Sequence, residues 1–398
     1  MLAVAEARER ILSALRPVGE EVVPLPQAVG RVLARPVIAR LTQPPAAVSA
    51  MDGWAVRAAD AQAGAMLRQI GAAPAGHPFA GQVGPGECVR IFTGAFLPEG
   101  ADGILLQEEA SADGVLVKVQ ESVQPGRWIR PAGLDFTAGE TLLPAGRRLT
   151  ARDIGLAAAA NHPWLTVHRR PRIGILATGD EIALPGEPLP AGGIVSSNAH
   201  ALAALVTVAG GEALVLPIAP DDPAAIAALA RSGQGCDLLL TTGGASVGEH
   251  DLVQKALGPE GFALDFWKIA MRPGKPLIWG RLGGTPLLGL PGNPVSALVC
   301  AVVFLLPALA VLSGLPAAPT PTDRALAGAA LPQNDRREDY LRARLSADGR
   351  VATPFPRQDS SMLATLARAD ALIIRPPHAP PLPEGAEVEV IRLGPLGI

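Results

Sequence analysis

The sequence predicts a multidomain α/β protein: a central three-layer α/β domain with a parallel-type sheet, N-terminal helical and β subdomains, and a small β-barrel-like C-terminal domain. Three observations predict it. Strand and helix signals alternate between about residues 171 and 316, the pattern of parallel strands joined by crossover helices. A short-strand segment punctuated by glycine and rich in Val and Ile precedes this stretch, and segments alternating apolar and charged residues follow it from about residue 320. The chain of 398 residues is long enough for about two to four domains, each with its own core.

Taken in order, "VAEARERILSALRPV" and "TARDIGLAAAANHP" read as helices, and residues 1–45 and 136–170 are assigned together to a mainly helical subdomain. Residues 46–135 form an inserted β subdomain, where "GHPFAGQVGPGECVRIFTGAFLPEGADGILLQEE" supplies short strands and many turns. The central domain, residues 171–316, opens with the strand "RIGILAT". It continues through the helix "SSNAHALAALVTVAGG", the strand "EALVLPI", the helix "DDPAAIAALARS" and the strand "CDLLLTTGG". The strands "FWKIA", "PLIWG" and "PLLGLPG" follow, then a long apolar helix. The Ala/Pro-rich "GLPAAPTPT" marks the boundary to a closing β domain, residues 317–398.

Composition excludes several classes. A net charge of -3 leaves no basic face for nucleic acid, so an anionic ligand must be gripped locally. Cys88, Cys236 and Cys300 stand far apart without a CxxC pair, which argues against a disulfide framework or zinc site and fits a reducing cytosol. Glu6, Arg8, Glu9 and Arg10 interrupt what would be the apolar core of a signal peptide. "VSALVCAVVFLLPALAVL", residues 295–312, is close to the length of a membrane span, but no basic cluster or aromatic belt flanks it. Asn293 can cap it and Pro294 suits a first helical turn, so it reads as a helix buried in a domain core or between subunits. A cytoplasmic protein bound to neither membrane nor nucleic acid is expected.

In a doubly wound domain the ligand lies beyond the carboxyl ends of the strands. "ATGDE", "TTGGASVGEHD" and "LPGNP" all fall there, so three distant segments are expected to meet in one crevice. In "TTGGASVGEHD" a glycine-rich turn opening a helix presents backbone N–H groups to an anion. Asp251 at its end is suited either to capping N–H groups or to holding a metal beside a phosphate. Asp180, Glu181, Asp221 and Asp222 at other strand ends read singly as N-caps; gathered around one crevice they would need a cation, and such oxygen ligands suit Mg²⁺. Elsewhere, Asp52 in "SAMDGWAV" and Thr93 in "IFTGAF" read as turn residues or as phosphate or metal contacts. Arg130 and Asp135 flank a Pro-Ala-Gly turn that an ordinary surface salt bridge would also explain. Of the four lysines, Lys268 and Lys275 both fall in "WKIAMRPGKP", where the chain departs from its general use of arginine. The six histidines pair with no nearby Cys or Ser in a nucleophilic arrangement.

Taken together and in order, SAMDGWAV, TGAFLPEGADGIL, GLDFTAGE, ATGDEI, PDDP, TTGGASVGEHD, KIAMRPGKP and LPGNPVSA resemble the molybdopterin molybdenumtransferase family, which includes the MoeA proteins and the C-terminal domain of gephyrin. The resemblance runs from about Val4 to the C-terminus. It implies an enzyme that inserts molybdenum from molybdate into adenylyl-molybdopterin and releases AMP in a Mg²⁺-dependent step. It also implies an elongated homodimer with sites between the α/β domain of one subunit and the N-terminal domains of the other, and the molybdopterin adenylyltransferase as a candidate partner. The positions matching the family's functional ones are Asp52, Thr93, Asp135, Glu181, Asp221 and Asp251 as catalytic residues, with Glu181, Asp221 and Asp251 as Mg²⁺ ligands. Arg130, Gly243, Gly244, Ser246, Gly248, Lys268, Arg272, Pro291 and Pro294 match substrate-binding positions, and the C-terminal domain offers Arg342, Ser360 and Ser361 as further contacts. Two departures stand out: Ala46, Ala47 and Val48 replace the aromatic, acid and amide often found before SAMDG, and Arg272 stands where many members carry lysine. An adenylyltransferase sharing the TGG domain, or a dimeric scaffold of gephyrin type, are the alternative readings; residues on both sides of the TGG domain favour the metal-inserting enzyme over the first, and the intact set of acids favours it over the second.

Overall fold

A computed structural model describes residues 1–243 and 255–398. The centre of the molecule is a six-stranded sheet in the order Glu212–Val215, Arg172–Ala177, Leu238–Thr242, Thr285–Leu290, Pro276–Leu282, Phe262–Lys268. The first four strands are parallel. The last two run antiparallel, so the parallel-type sheet expected from sequence becomes mixed at one edge. The cause is local: only Gly283 and Gly284 separate Leu282 from its cross-strand partner Thr285, and a two-residue loop can close only an antiparallel hairpin.

Side chains alternate across this sheet and build two cores. Ile173, Ile175, Leu238, Leu240, Leu288 and Leu290 pack on one face with the helix Asn198–Val208 and the apolar helical segment at 294–312. Leu176, Leu239 and Leu287 point the other way, onto the helix Pro223–Ser232 through Ile226 and Ala230. Period-two burial on both faces explains the unbroken apolar runs in the sequence.

The segment Pro294–Leu312 is long and apolar enough to cross a membrane, yet 89% of its most apolar stretch is buried inside the protein. Its α-helical turns widen to π geometry over Ala301–Leu305, just before Pro307, which has no N–H to donate. Leu306 N–H bonds to the Ala301 carbonyl, and the freed Val302 carbonyl accepts the hydroxyl of Thr320 from the linker to the closing domain.

The first helix, Val4–Ser13, differs from expectation. Its apolar stripe of Val4, Ala7, Ile11 and Leu12 belongs to the central core, against the 294–312 segment. The expected helical subdomain therefore retains the short helix Leu25–Ala28 and the helix Ala151–Ala159, with two two-stranded ribbons. One ribbon is its stem: Glu20–Pro24 pairs antiparallel with Trp164–His168, and the Arg169 N–H donates to the Gly19 carbonyl at 2.8 Å. Everything between leaves and returns through that stem, including the six-stranded β arm ordered Gly103–Leu106, Gly53–Val56, Glu87–Ile91, Met66–Ala73, Leu116–Val119, Ala110–Asp113.

The C-terminal domain closes into a five-stranded barrel. Glu338–Leu345 pairs with Val351–Pro354, which pairs with Asp323–Ala327, then Glu387–Arg392, then Ala371–Arg375, which returns to Glu338–Leu345. The short strand Met271–Arg272 of the central domain adds in parallel to Glu338 and Asp339, tying the barrel to the central domain.

Candidate functional site

The parallel strands end together, and their following loops are cross-linked. Thr178 N–H donates to the Thr242 carbonyl at 3.0 Å, and Gly179 N–H to the Ala219 carbonyl at 3.1 Å. Gly243 lies at φ +115°, and a Cβ there would fall 2.2 Å from the Thr178 carbonyl oxygen. Only glycine lets the second and third loops approach this closely.

Between these loops lies a crevice of about 680 Å³. Glu181, Gly243, Pro291 and Pro294 line it, together with Asn198, Ser196 and Ser296 of the central domain and Ser361 of the barrel. Two helices, Asn198–Val208 and Pro294–Cys300, begin at its wall. Their N-terminal dipoles and backbone N–H groups favour an anion there.

Nothing in the sequence around Asn198 signals a role at this crevice. Asn198 Nδ2 donates to Thr242 Oγ1 at 3.0 Å and to the Gly292 carbonyl at 2.7 Å, joining the TTGG and LPGNP loops. The "SSN" at a helix start reads as an ordinary cap, because the partners lie 44 and 94 residues away. Across the crevice Asn293 Nδ2 donates to Ser360 Oγ at 2.9 Å, and Val295 N–H to the Ser360 carbonyl at 3.1 Å. The barrel loop thus completes one wall.

The structure brings two of the three expected metal ligands together. The Asp221 N–H donates to Asp180 Oδ1 at 3.0 Å, and burial followed by the negative charges of Asp180 and Glu181 pushes the Asp221 carboxyl above its ordinary range. The like charges of Asp180 and Glu181 acting on Asp221 are what a divalent cation would relieve. Among the described residues no group of three is spaced to hold a metal ion unaided. The third expected ligand, Asp251, and the cradle residues Gly244, Ser246 and Gly248 lie outside the described residues. Asp222 behaves as a cap, accepting Ala225 N–H at 2.8 Å.

Asp52, Thr93, Arg130 and Asp135 sit on the N-terminal arm, and none lines the crevice within one chain. Asp52 Oδ1 accepts the Thr93 N–H at 2.7 Å and the Thr93 hydroxyl at 2.8 Å, which hold its carboxyl below the ordinary range. Arg130 pairs through its backbone with Val48, and Asp135 N–H donates to the Gln43 carbonyl. Lys268 places its ammonium 3.3 Å from the Trp267 ring centroid.

Arg272 has a different setting from that of a free anion ligand. Its guanidinium takes Asp339 through both Nε, at 2.8 Å, and Nη2, and reaches Asn334 at 3.2 Å and Asp335 at 3.4 Å. Those partners all belong to the barrel, so the side chain latches the two domains. Arg342 is almost fully buried in the barrel, donating to the Asp359 carbonyl at 3.0 Å. It supports the loop that carries Ser360 and Ser361.

Comparison with known proteins covers nearly the whole chain. Residues 2–161 match the family described as MoeA N-terminal region (domain I and II), residues 174–311 the probable molybdopterin binding domain, and residues 324–393 the MoeA C-terminal region (domain IV). A Mycobacterium tuberculosis protein named molybdopterin molybdenumtransferase 2 is 36% identical over 401 residues, covering 98% of this chain and 99% of that one. A Nostoc protein named molybdopterin molybdenumtransferase is 35% identical over 386 residues, covering 94% and 88%. Among solved structures, a molybdopterin biosynthesis MoeA protein from Pyrococcus horikoshii matches with a TM-score of 0.87 at 28% identity, covering 98% of this chain and 99% of that one. With all three of its regions present in order and relatives aligned almost end to end, the chain belongs to the MoeA family.

Proposed function

We propose that this protein is a cytoplasmic molybdopterin molybdenumtransferase, which inserts molybdenum from molybdate into adenylyl-molybdopterin and releases AMP during molybdenum cofactor biosynthesis. The observation that carries the proposal is the convergence of three strand-end loops on one crevice, with two helix N-termini at its wall and the like charges of Asp180, Glu181 and Asp221 grouped at the same strand ends. The crevice is large enough for a pterin-sized group. Its helix ends suit the two anions that must meet, molybdate and the phosphates of the adenylylated pterin.

Glu181 and Asp221, with Asp251, are the residues that would hold Mg²⁺. When bound there, the ion would supply positive charge against the phosphoryl oxygens of the anhydride to AMP. The chain's own residues do the positioning. Asn198 fixes the distance between the TTGG and LPGNP loops, Gly243 admits close backbone approach, and Ser361 closes the wall from the barrel. Asp52, Thr93, Arg130 and Asp135 take part through a homodimer, in which the arm of a second copy meets the crevice of the first. The molybdopterin adenylyltransferase is the natural donor of the adenylylated substrate.

The test is to incubate the purified protein with adenylyl-molybdopterin, Mg²⁺ and molybdate and to follow nucleotide release. AMP release that requires molybdate is expected, lowered about 100-fold or more in Glu181→Ala and Asp221→Ala while both variants unfold as cooperatively as the parent. Release that ignores molybdate would point to adenylyl transfer chemistry, and no turnover would point to a scaffold.

A further inference from the structure

A cluster of basic residues lies where the stem of the N-terminal arm meets the central domain. Arg31, Arg148, Arg169 and Arg170 line one small recess with His168, Gly30 and Gly210. Two of these arginines are neutralised: Arg169 grips Asp237 through two bonds of 2.6 and 2.7 Å, and Arg31 pairs with Glu21. Arg148 and Arg170 have no carboxylate partner among the described residues. Each reaches only a glycine carbonyl, Arg148 Nη1 to Gly30 at 3.3 Å and Arg170 Nη1 to Gly210 at 3.4 Å.

The two unneutralised groups converge. A Cβ at Gly210 would lie 3.7 Å from Arg148 Nη1, and Gly210 O is the acceptor for Arg170, so both guanidiniums flank one residue just past the helix Asn198–Val208. The helix C-terminus favours cations there, but a fractional dipole charge does not balance two full ones. Arg148 is exposed and Arg170 half-buried, so both guanidiniums are open to an anion from solvent. His168 Nδ1 lies 3.0 Å from the Val18 carbonyl and so carries its proton on that nitrogen, adding no negative charge to the recess.

We propose that this recess binds a small tetrahedral oxyanion of the phosphate class, held by the guanidinium forks of Arg148 and Arg170. The recess, about 10 Å³, admits about one oxygen atom, leaving the remaining oxygens at the mouth for charge-assisted bonds. Its walls come from the arm at Gly30 and Arg148, from the stem at His168 to Arg170, and from the central domain at Gly210 and Ser313. An anion there fastens the arm to the domain that carries the crevice.

Inorganic phosphate is the probe. Thermal unfolding in about 10 mM phosphate should exceed that in chloride of equal ionic strength by roughly 2 °C or more. Arg148→Gln and Arg170→Gln should each lose that difference, and Arg148→Lys, which keeps the charge without the fork, should retain part of it. Hydrogen exchange on the unaltered chain locates the ligand without relying on any variant: phosphate should slow exchange at residues 30–32 and 209–211. No phosphate-specific stabilisation, stabilisation that survives both Gln variants, or protection confined to the crevice loops at 243 and 292 would each overturn the proposal.

Discussion

Asn198 and Thr242 are joined by a 3.0 Å hydrogen bond from Nδ2 to the threonine hydroxyl, and the same amide nitrogen donates to the Gly292 carbonyl. One side chain therefore sets the gap between two anion-facing loops. Asn198→Ala leaves the buried Thr242 hydroxyl and the Gly292 carbonyl short of a donor, at a cost of about 1–3 kcal/mol. AMP release should fall further than stability does, because both loops lose their spacer. Asn198→Asp should be worse for activity, as it sets a negative charge beside Gly292 O and the incoming anions. Denaturant unfolding and nucleotide release on the same preparations check both outcomes.

Asp221 predicts a pH dependence. Its carboxyl sits above the ordinary range, so the folded protein keeps that proton to a higher pH than the unfolded chain does. The stability contributed by the protonated form is present at low pH and is lost as pH rises from the usual carboxylate range through the native Asp221 pKa. Asp180→Asn keeps the acceptor for the Asp221 N–H and removes one like charge. Its stability curve should be flatter over that interval and higher at neutral pH than that of the parent, and Mg²⁺ should narrow the difference. A parallel pair of curves would show that Asp180 exerts no effect on Asp221.

The Arg272–Asp339 pair predicts the strength of the interdomain latch. Asp339 is 3% exposed, and burial raises its pKa against the pull of Arg272. Arg272→Ala strands that carboxylate, and because the arginine itself is nearly half exposed the cost is discounted to about 1–3 kcal/mol from the range for fully buried pairs. Arg272→Lys should fall between, since an ammonium cannot make the two-pronged contact. The alanine penalty should shrink at acidic pH, where Asp339 takes a proton. Unfolding curves at neutral and acidic pH test the sign.

Gly243→Ala combines two penalties: a left-handed backbone at φ +115° and a Cβ 2.2 Å from a carbonyl oxygen. A loss of at least about 1–3 kcal/mol is expected, with the strand-end loops forced apart and AMP release falling with them. Gly284→Ala, where a Cβ meets nothing, is the control and should leave nucleotide release unchanged.

Much of this was legible in the chain itself, and the failures share a cause. The buried parallel strands announce themselves through runs such as "RIGILA", but the expectation of a parallel-type sheet passed over Gly-Gly between Leu282 and Thr285, the hairpin that turns the sheet mixed. Amphipathicity told that Val4, Ala7, Ile11 and Leu12 face a core, but a stripe does not say which core, and the helix joined the central one. The same holds for Asn198 and Arg272. Residue type showed a cap and a cation, while their partners, far off in sequence, decided that one spaces two loops and the other latches a barrel. The grouping of Glu181 with Asp221 was readable because both follow strand ends of one sheet, where topology alone brings side chains together.

The stem formed by Glu20–Pro24 and Trp164–His168 means that the arm bearing Asp52, Thr93, Arg130 and Asp135 is carried on a ribbon of two strands paired over five positions, and two-stranded ribbons twist strongly. The twist and register of those five pairs set the direction in which all four side chains are presented, so a one-residue slip in the stem would re-aim them together.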